Sequence, residues 1–211
     1  MNRQFAIAIA ALVLSSSFAA RADAGGDREQ QIALAISAAP KSVAAKAGVY
    51  VLDKSGYVKV RESQNGFVCI VEHRVPSAVE PQCLDAEGVR TFLPRILMVG
   101  AMRAGGRPEA EIRQAVRKGF AEGKFAAPKR PGVDYMLSTH NVVTVDEDKG
   151  IAVPFPPHLM FYAPGMTNAD VGSDGTPGSA LFVVDEKSPH ALMIVPVATD
   201  GAAAAHTHAA H

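Results

Sequence analysis

Hydrophobic positions change period along this chain, and each change marks an element. Between residues 30 and 51, Ile32, Ala35, Ile36 and Ala39 recur at helical spacing, Pro40 interrupts them, and Val43, Ala44 and Ala47 resume the stripe. The spacing predicts two short helices broken at Pro40, because proline lacks an amide proton and clashes with the preceding turn. Residues 49–52, 57–61 and 67–71 then read as short β-rich runs, separated by Asp53-Lys54-Ser55-Gly56 and Gln64-Asn65-Gly66. An Asn-Gly pair between such runs is a strong hairpin signal, so the three predict a meander with Cys69 in its third strand. Cys83 falls just past the loop that leaves it.

The period then returns to that of a helix. Asp85 stands where it can cap a helix whose residues Val89, Phe92, Leu93, Ile96 and Leu97 follow i, i+3, i+4, i+7, i+8, with a kink at Pro94. Pro108 suits a first helical position, Glu109 and Glu111 suit the positive helix end, and Ile112, Ala115, Val116, Gly119 and Phe120 form a second stripe. Beyond Pro131 the runs 133–137, 141–145, 151–155, 159–162, 180–184 and 191–197 are apolar or alternating and lie between Pro, Gly and Asp clusters. Asp146-Glu147-Asp148-Lys149-Gly150 reads as an acidic hairpin tip. The expected class is α+β: a mostly antiparallel sheet with N-terminal and central helices packed on it, in a single globular domain over residues 25–200.

The two ends depart from this pattern. Arg3, an apolar stretch over residues 5–14, Ser15-Ser16-Ser17 and then Ala22-Asp23-Ala24 follow the order of a secretory signal peptide, here residues 1–24. Ten apolar residues cover about half the hydrocarbon of a bilayer, so no transmembrane segment is expected after cleavage, and the chain is expected to be exported, periplasmic or secreted. Residues 201–211 form an Ala/His tail with too little to bury and are expected to be disordered. With 211 residues, 48% of them hydrophobic, and 21 basic against 21 acidic side chains, the composition fits one ordinary folded domain. The neutral balance argues against nucleic acid as a partner. Residues 103–130 alone carry eight basic against three acidic residues. That run reads as the solvated face of a helix, with anionic lipid or an acidic partner as the alternative.

Candidate chemistry is sparse. Cys69 and Cys83 are the only cysteines, and in an exported chain they read as a disulfide. A metal site of Cys69, His73 and Cys83 would lack a fourth ligand and the usual close cysteine pair. Pro157-His158 and Pro189-His190 each introduce an apolar run that ends in proline, which puts both histidines at strand mouths. In parallel neighbouring strands His158 and His190, with His140 as a third member, would be candidates for acid–base or metal-assisted hydrolysis; in antiparallel neighbours they would lie at opposite ends. Alternation places His158, Met160 and Tyr162 on one strand face, either core or the wall of a ligand pocket. His206, His208 and His211 are the residue types that chelate a divalent metal, the one cofactor class suggested here. The Asp/Asn-rich run from Thr167 to Gly175 lacks the closing glutamate of a calcium loop, since residue 179 is serine, and reads as a turn. No Walker loop, dinucleotide fingerprint, Cys-x-x-Cys, His-Glu-x-x-His or Gly-x-Ser-x-Gly motif occurs.

Taken together, Asn65-Gly66-Phe67-Val68-Cys69, Gln82-Cys83-Leu84-Asp85, Tyr135-Met136-Leu137-Ser138, His158-Leu159-Met160-Phe161-Tyr162-Ala163-Pro164 and Pro189-His190-Ala191-Leu192-Met193-Ile194-Val195-Pro196 resemble a family of small exported bacterial proteins of unknown function. The resemblance implies one exported domain and transfers no catalytic residue. The functional expectation is a ligand-binding or envelope-associated module that meets a small molecule or an envelope component, with a hydrolase using the strand-mouth histidines as the alternative.

Overall fold

The computed structural model describes residues 19–176 and 178–197, with side chains from residue 27. The Ala/His tail and most of the predicted signal peptide lie outside these residues. The fold is α+β. Helix α1 (Ala19–Ile36) and the single turn α2 (Lys41–Ala44) flank Pro40, as the periodicity predicts. Strands β1 (Gly48–Asp53), β2 (Gly56–Arg61), β3 (Val68–Glu72) and β4 (Glu80–Leu84) follow, then helices α3 (Ala86–Thr91), α4 (Leu93–Ala104) and α5 (Glu109–Ala121). Strands β5 (Val133–Met136), β6 (Val142–Asp146), β7 (Ile151–Pro154), β8 (His158–Tyr162), β9 (Phe182–Val184) and β10 (Leu192–Pro196) follow, with a 3-10 turn (Ala169–Val171) between β8 and β9.

Eight strands form one sheet in the order β2-β1-β3-β4-β5-β8-β10-β9, and all neighbours except β1 and β3 are antiparallel. The expected meander is therefore corrected. β1 and β2 form the hairpin closed by Gly56 at φ 107°, but β3 crosses to the far side of β1 and runs parallel to it. The reason is burial: β1, with Val49 and Val51 buried, takes the inner position beside β3, whereas β2, which carries Lys59 and Arg61 and buries no side chain, is left at the edge. Asn65 serves the crossover, donating to Val43 O at 2.9 Å and accepting from Phe67 N at 3.1 Å. Cys83 also lies within a strand, β4, directly opposite Cys69 on β3.

Two helical layers cover the sheet. α1 lies over β1, β3 and β4, where Ala35 and Ala38 are fully buried and their small side chains admit close approach. Its Gln31 amide continues the ladder, accepting from Leu52 N at 2.7 Å and donating to Leu52 O at 3.2 Å. The opposite face is covered by α3 and α4. Asp85 caps α3 by accepting from Gly88 N at 2.9 Å, and the expected kink at Pro94 is a full break at Phe92, with Pro94 in the first turn of α4. Pro108 stands one residue before α5 rather than within it. β6 and β7 stand apart as a two-stranded ribbon, attached by a bridge between Val79 and Val142.

Candidate functional site

The strand-mouth histidines do not meet. β8 and β10 are antiparallel, with His158 opposite Pro196 and Tyr162 opposite Leu192, so His158 and His190 lie at opposite ends of the pair. The acid–base or metal pair that parallel strands would have formed is not assembled. His158 is buried; its Nδ1–H donates to Pro156 O at 2.8 Å, and burial lowers its pKa below the usual histidine value despite that bond. His140 is exposed beside Ser138. The face carrying His158, Met160 and Tyr162 is core rather than a pocket wall, because α3, Phe92 and Phe182 pack over it. Tyr162 Oη donates to Asp85 Oδ1 at 3.0 Å, tying β8 to the cap of α3. His206, His208 and His211 fall outside the described residues, among which no three His, Cys, Asp or Glu side chains gather as a metal cluster.

The sequence reading missed the charged groups beneath α4. Glu72 ends β3 on the face that α4 covers, on the same side as Val68 and Ile70, and is 2% exposed. Arg95, in the first turn of α4, turns inward and grips it: Nη1 lies 2.7 Å from Oε1, and Nη2 donates to Oε2 at 3.0 Å. Gln82 Nε2 donates to the same Oε2 at 2.8 Å. Arg74 Nε lies 3.8 Å from Glu72 and 3.9 Å from Glu80, and its Nη1 lies 3.6 Å from Glu147 at the ribbon tip. Glu80 Oε1 accepts from both N and Oγ1 of Thr144 at 2.8 Å, fastening the ribbon to the sheet.

These acids titrate in opposite directions. Burial pushes the Glu72 carboxyl up, but the adjacent Arg95 and Arg74 charges and hydrogen bonds outweigh it and hold the group well below the usual carboxylate range. Glu80 is pushed up, chiefly by burial, although Arg74 and Thr144 oppose the shift. Asp134, 2% exposed on β5 with no hydrogen-bond partner at Oδ1 among the described residues, is pushed well above 3.8 by burial and by the charges of Glu72, Asp85 and Glu80. One carboxylate is thus held in the ionised form between two guanidinium groups, while burial shifts its neighbours in the opposite direction. A signal for these residues was present in the sequence: Glu72 alternates with Ile70, Asp134 with Met136, and Arg95 shares the helical face of Phe92 and Val99.

Above this ionic floor opens a cleft of about 740 Å³. One wall is α5, with Val116, Arg117 and Phe120; the other is the connection from β9 to β10, with Asp185, Glu186 and His190. His190 stacks edge-on against Phe120, with centroids 4.6 Å apart, and against Phe92 at 6.0 Å. Its Nε2–H donates to Ala126 O at 3.3 Å, and burial lowers its pKa, so a neutral ring faces the cleft near neutral pH. The connection is sharply wound: Asp185 at φ 53° and Lys187 at φ 62° both adopt the left-handed region that favours glycine. Such residues cost about 1–3 kcal/mol each and concentrate where a loop must hold a defined shape for a site. The acidic ribbon tip closes one side, with Asp148 lying 3.2 Å from Arg113 and 3.9 Å from Arg117. Much of the basic charge of residues 103–130 is met in this way, since Arg103 pairs with Glu109 at 2.6 Å and Arg107 with Glu111 at 3.7 Å.

No protein-family model, no curated protein and no solved structure matches the chain. The cleft has to be read from its own chemistry.

Proposed function

We propose that this protein is an exported binding module that holds a small molecule in the cleft between α4, α5 and the β9–β10 connection. The cleft itself carries this reading, being a concavity within the ~300–1,000 Å³ range typical of ligand sites. Its floor is ionic, its wall is aromatic, and its rim is held in a strained conformation. Such a combination suits recognition of a compound with both polar and apolar parts. Export is supported by the N-terminal order of basic, apolar and small residues and by the Cys69–Cys83 disulfide, a bond that persists in oxidising compartments. No described helix is long and apolar enough to cross a membrane.

The test is the thermal midpoint of the purified protein against a broad panel of small molecules. A compound present at 100 times its dissociation constant stabilises by about 2.7 kcal/mol, which moves the midpoint by several degrees. At least one compound is expected to raise the midpoint of the native protein and to leave unchanged that of Ala121→Trp, which fills the cleft from an exposed position on α5. A panel without any shift, or a shift that survives in Ala121→Trp, would overturn the proposal.

A further inference from the structure

Taking the cleft as a binding site, we infer that its ligand is a small zwitterion with an apolar body, of the amino-acid or short-peptide class, with its carboxylate on Arg74 and its ammonium on Asp185. The charged groups of the lining differ in how far they are already committed. Arg95 is committed, since both of its Nη atoms meet Glu72. Glu186 is committed as well, because its Oε1 accepts from the backbone N and the side-chain amide of Asn168. Arg74 is compensated in charge but not in hydrogen bonding; so is Arg117, 3.9 Å from Asp148, but Arg117 is solvated on α5 whereas Arg74 is held at the floor of the cleft. The carboxylate oxygens nearest Arg74 stand 3.6–3.9 Å away, and its guanidinium makes no hydrogen bond among the described residues; Nε is enclosed against Glu72 and Glu80, so the part-exposed Nη edge is what the cleft can use. A guanidinium in that condition matches an incoming carboxylate, which accepts from it in a directional, charge-assisted pair. Glu147, half exposed at the ribbon tip, is the group that such a carboxylate would displace.

Across the cleft, Asp185 is exposed, and among the described residues its carboxylate makes no hydrogen bond or ion pair. It lines the same cleft as Arg74 and His190, so a cation without hydrogen bonds and an unpaired anion face one space. The lining as a whole balances Arg74, Arg95 and Arg117 against Glu147, Asp185 and Glu186. A simple anion would meet three acids, a simple cation three arginines, and an uncharged acceptor would bond the Arg74 guanidinium without charge assistance while leaving Asp185 unmatched. Only a ligand carrying both charges answers both free groups. Its apolar part has Phe92, Phe120 and Leu192 to pack against, and the volume leaves room for more than one amino-acid residue.

Calorimetric titration of the purified protein with the dipeptide L-leucyl-L-phenylalanine and two single-charge derivatives tests this. The N-acetyl dipeptide lacks the ammonium, and the dipeptide amide lacks the carboxylate. The zwitterion is expected to bind at least ~10-fold more tightly than either derivative, as befits the loss of a charge-assisted hydrogen bond. Asp185→Asn, at an exposed position where asparagine tolerates positive φ, is expected to abolish discrimination against the N-acetyl form but not against the amide. Arg74→Gln is expected to do the reverse. Equal binding of the three compounds, or tighter binding of either derivative, would overturn the inference, as would discrimination unaffected by both substitutions. Failure of all three compounds to bind would overturn it too. In that event a midpoint shift from another compound, lost in Ala121→Trp, would leave the binding role standing, whereas the absence of any shift would remove both.

Discussion

β3 and β4 are buried along their whole length, yet their two faces are built differently. Under α1, Cys69, Val71 and Cys83 meet Ala35 and Ala38 in a wholly apolar layer closed by the disulfide. Under α4, the strands begin in the same way with Val68, Ile70 and Leu84, but toward the cleft the layer changes to Glu72, Gln82 and Glu80. Apolar burial stabilises at about 25 cal/mol per Å² and needs no partner, whereas each buried ion costs several kcal/mol unless its partner is well placed. The first face is therefore an economical solution for stability. The second is a costly one, placed where the sheet meets a cleft, and an ion pair in that position holds Arg95 and Arg74 in fixed geometry at the floor.

The largest test of this contrast is removal of one member of the buried pair. Arg95→Ala leaves Glu72 buried without its main counter-charge and is expected to cost about 3–5 kcal/mol in denaturant unfolding. The double variant Glu72→Met/Arg95→Met should recover most of that loss, and a double variant as unstable as Arg95→Ala would show that packing, not the ion, is at stake. On the other face, Cys69→Ala/Cys83→Ala is expected to lose about 3 kcal/mol, the chain-entropy value for a loop of this size. A calorimetric midpoint near that of the native protein would show the apolar layer to be sufficient without the bond.

pH separates the faces further, because only one of them titrates. The Asp134 pKa is raised in the folded state, so the folded protein binds more protons than the unfolded chain once pH exceeds 3.8, and stability falls as pH rises through the window up to the raised value. Asp134→Asn removes that loss, worth at most about 1.4 kcal/mol per pH unit, and its advantage over the native protein is expected to grow in urea unfolding as pH rises from 3.8 toward the raised value. Glu72 works in the opposite sense. Its lowered pKa contributes stability that is present above 4.5 and is lost as pH falls below it, so Glu72→Gln should show a shallower acid limb. The smallest effect belongs to the ribbon tip. Asp148→Ala breaks exposed contacts to Arg113 and Arg117 and is expected to cost under about 1 kcal/mol, with faster hydrogen exchange confined to β6 and β7.

How far the chain could be read in advance follows the same division between faces. Helices and strands with regular apolar periods were legible: the break at Pro40, the cap at Asp85, the stripe of α5 and the runs of β5 to β10 all appear where the spacing places them. β4 was not legible, because Glu80, Pro81 and Gln82 interrupt any apolar alternation; they are tolerated in a central strand only because Arg74 and Thr144 meet Glu80 and Glu72 meets Gln82. The Asn65-Gly66 turn was legible as a turn but not as a crossover, since the choice of partner strand depends on which neighbour buries β3. The candidate site was largely illegible. Two of the six charged residues lining the cleft come from the β9–β10 connection, and the others from four different segments of the chain, so no motif spacing links them.

By itself, the amino-acid sequence determined the class of fold, the helical and extended segments, and the pairing of its only two cysteines. Each of these depends on local period, on capping chemistry or on a count with one solution. The tertiary structure alone decided that β8 and β10 run antiparallel, and so that His158 and His190 never meet. It alone placed Glu72 against Arg95 and set Arg74 and Asp185, without side-chain hydrogen bonds among the described residues, around one cleft. Strand direction and long-range neighbours are settled by the free energy of burying whole faces together, a quantity distributed over the sheet and written in no single segment.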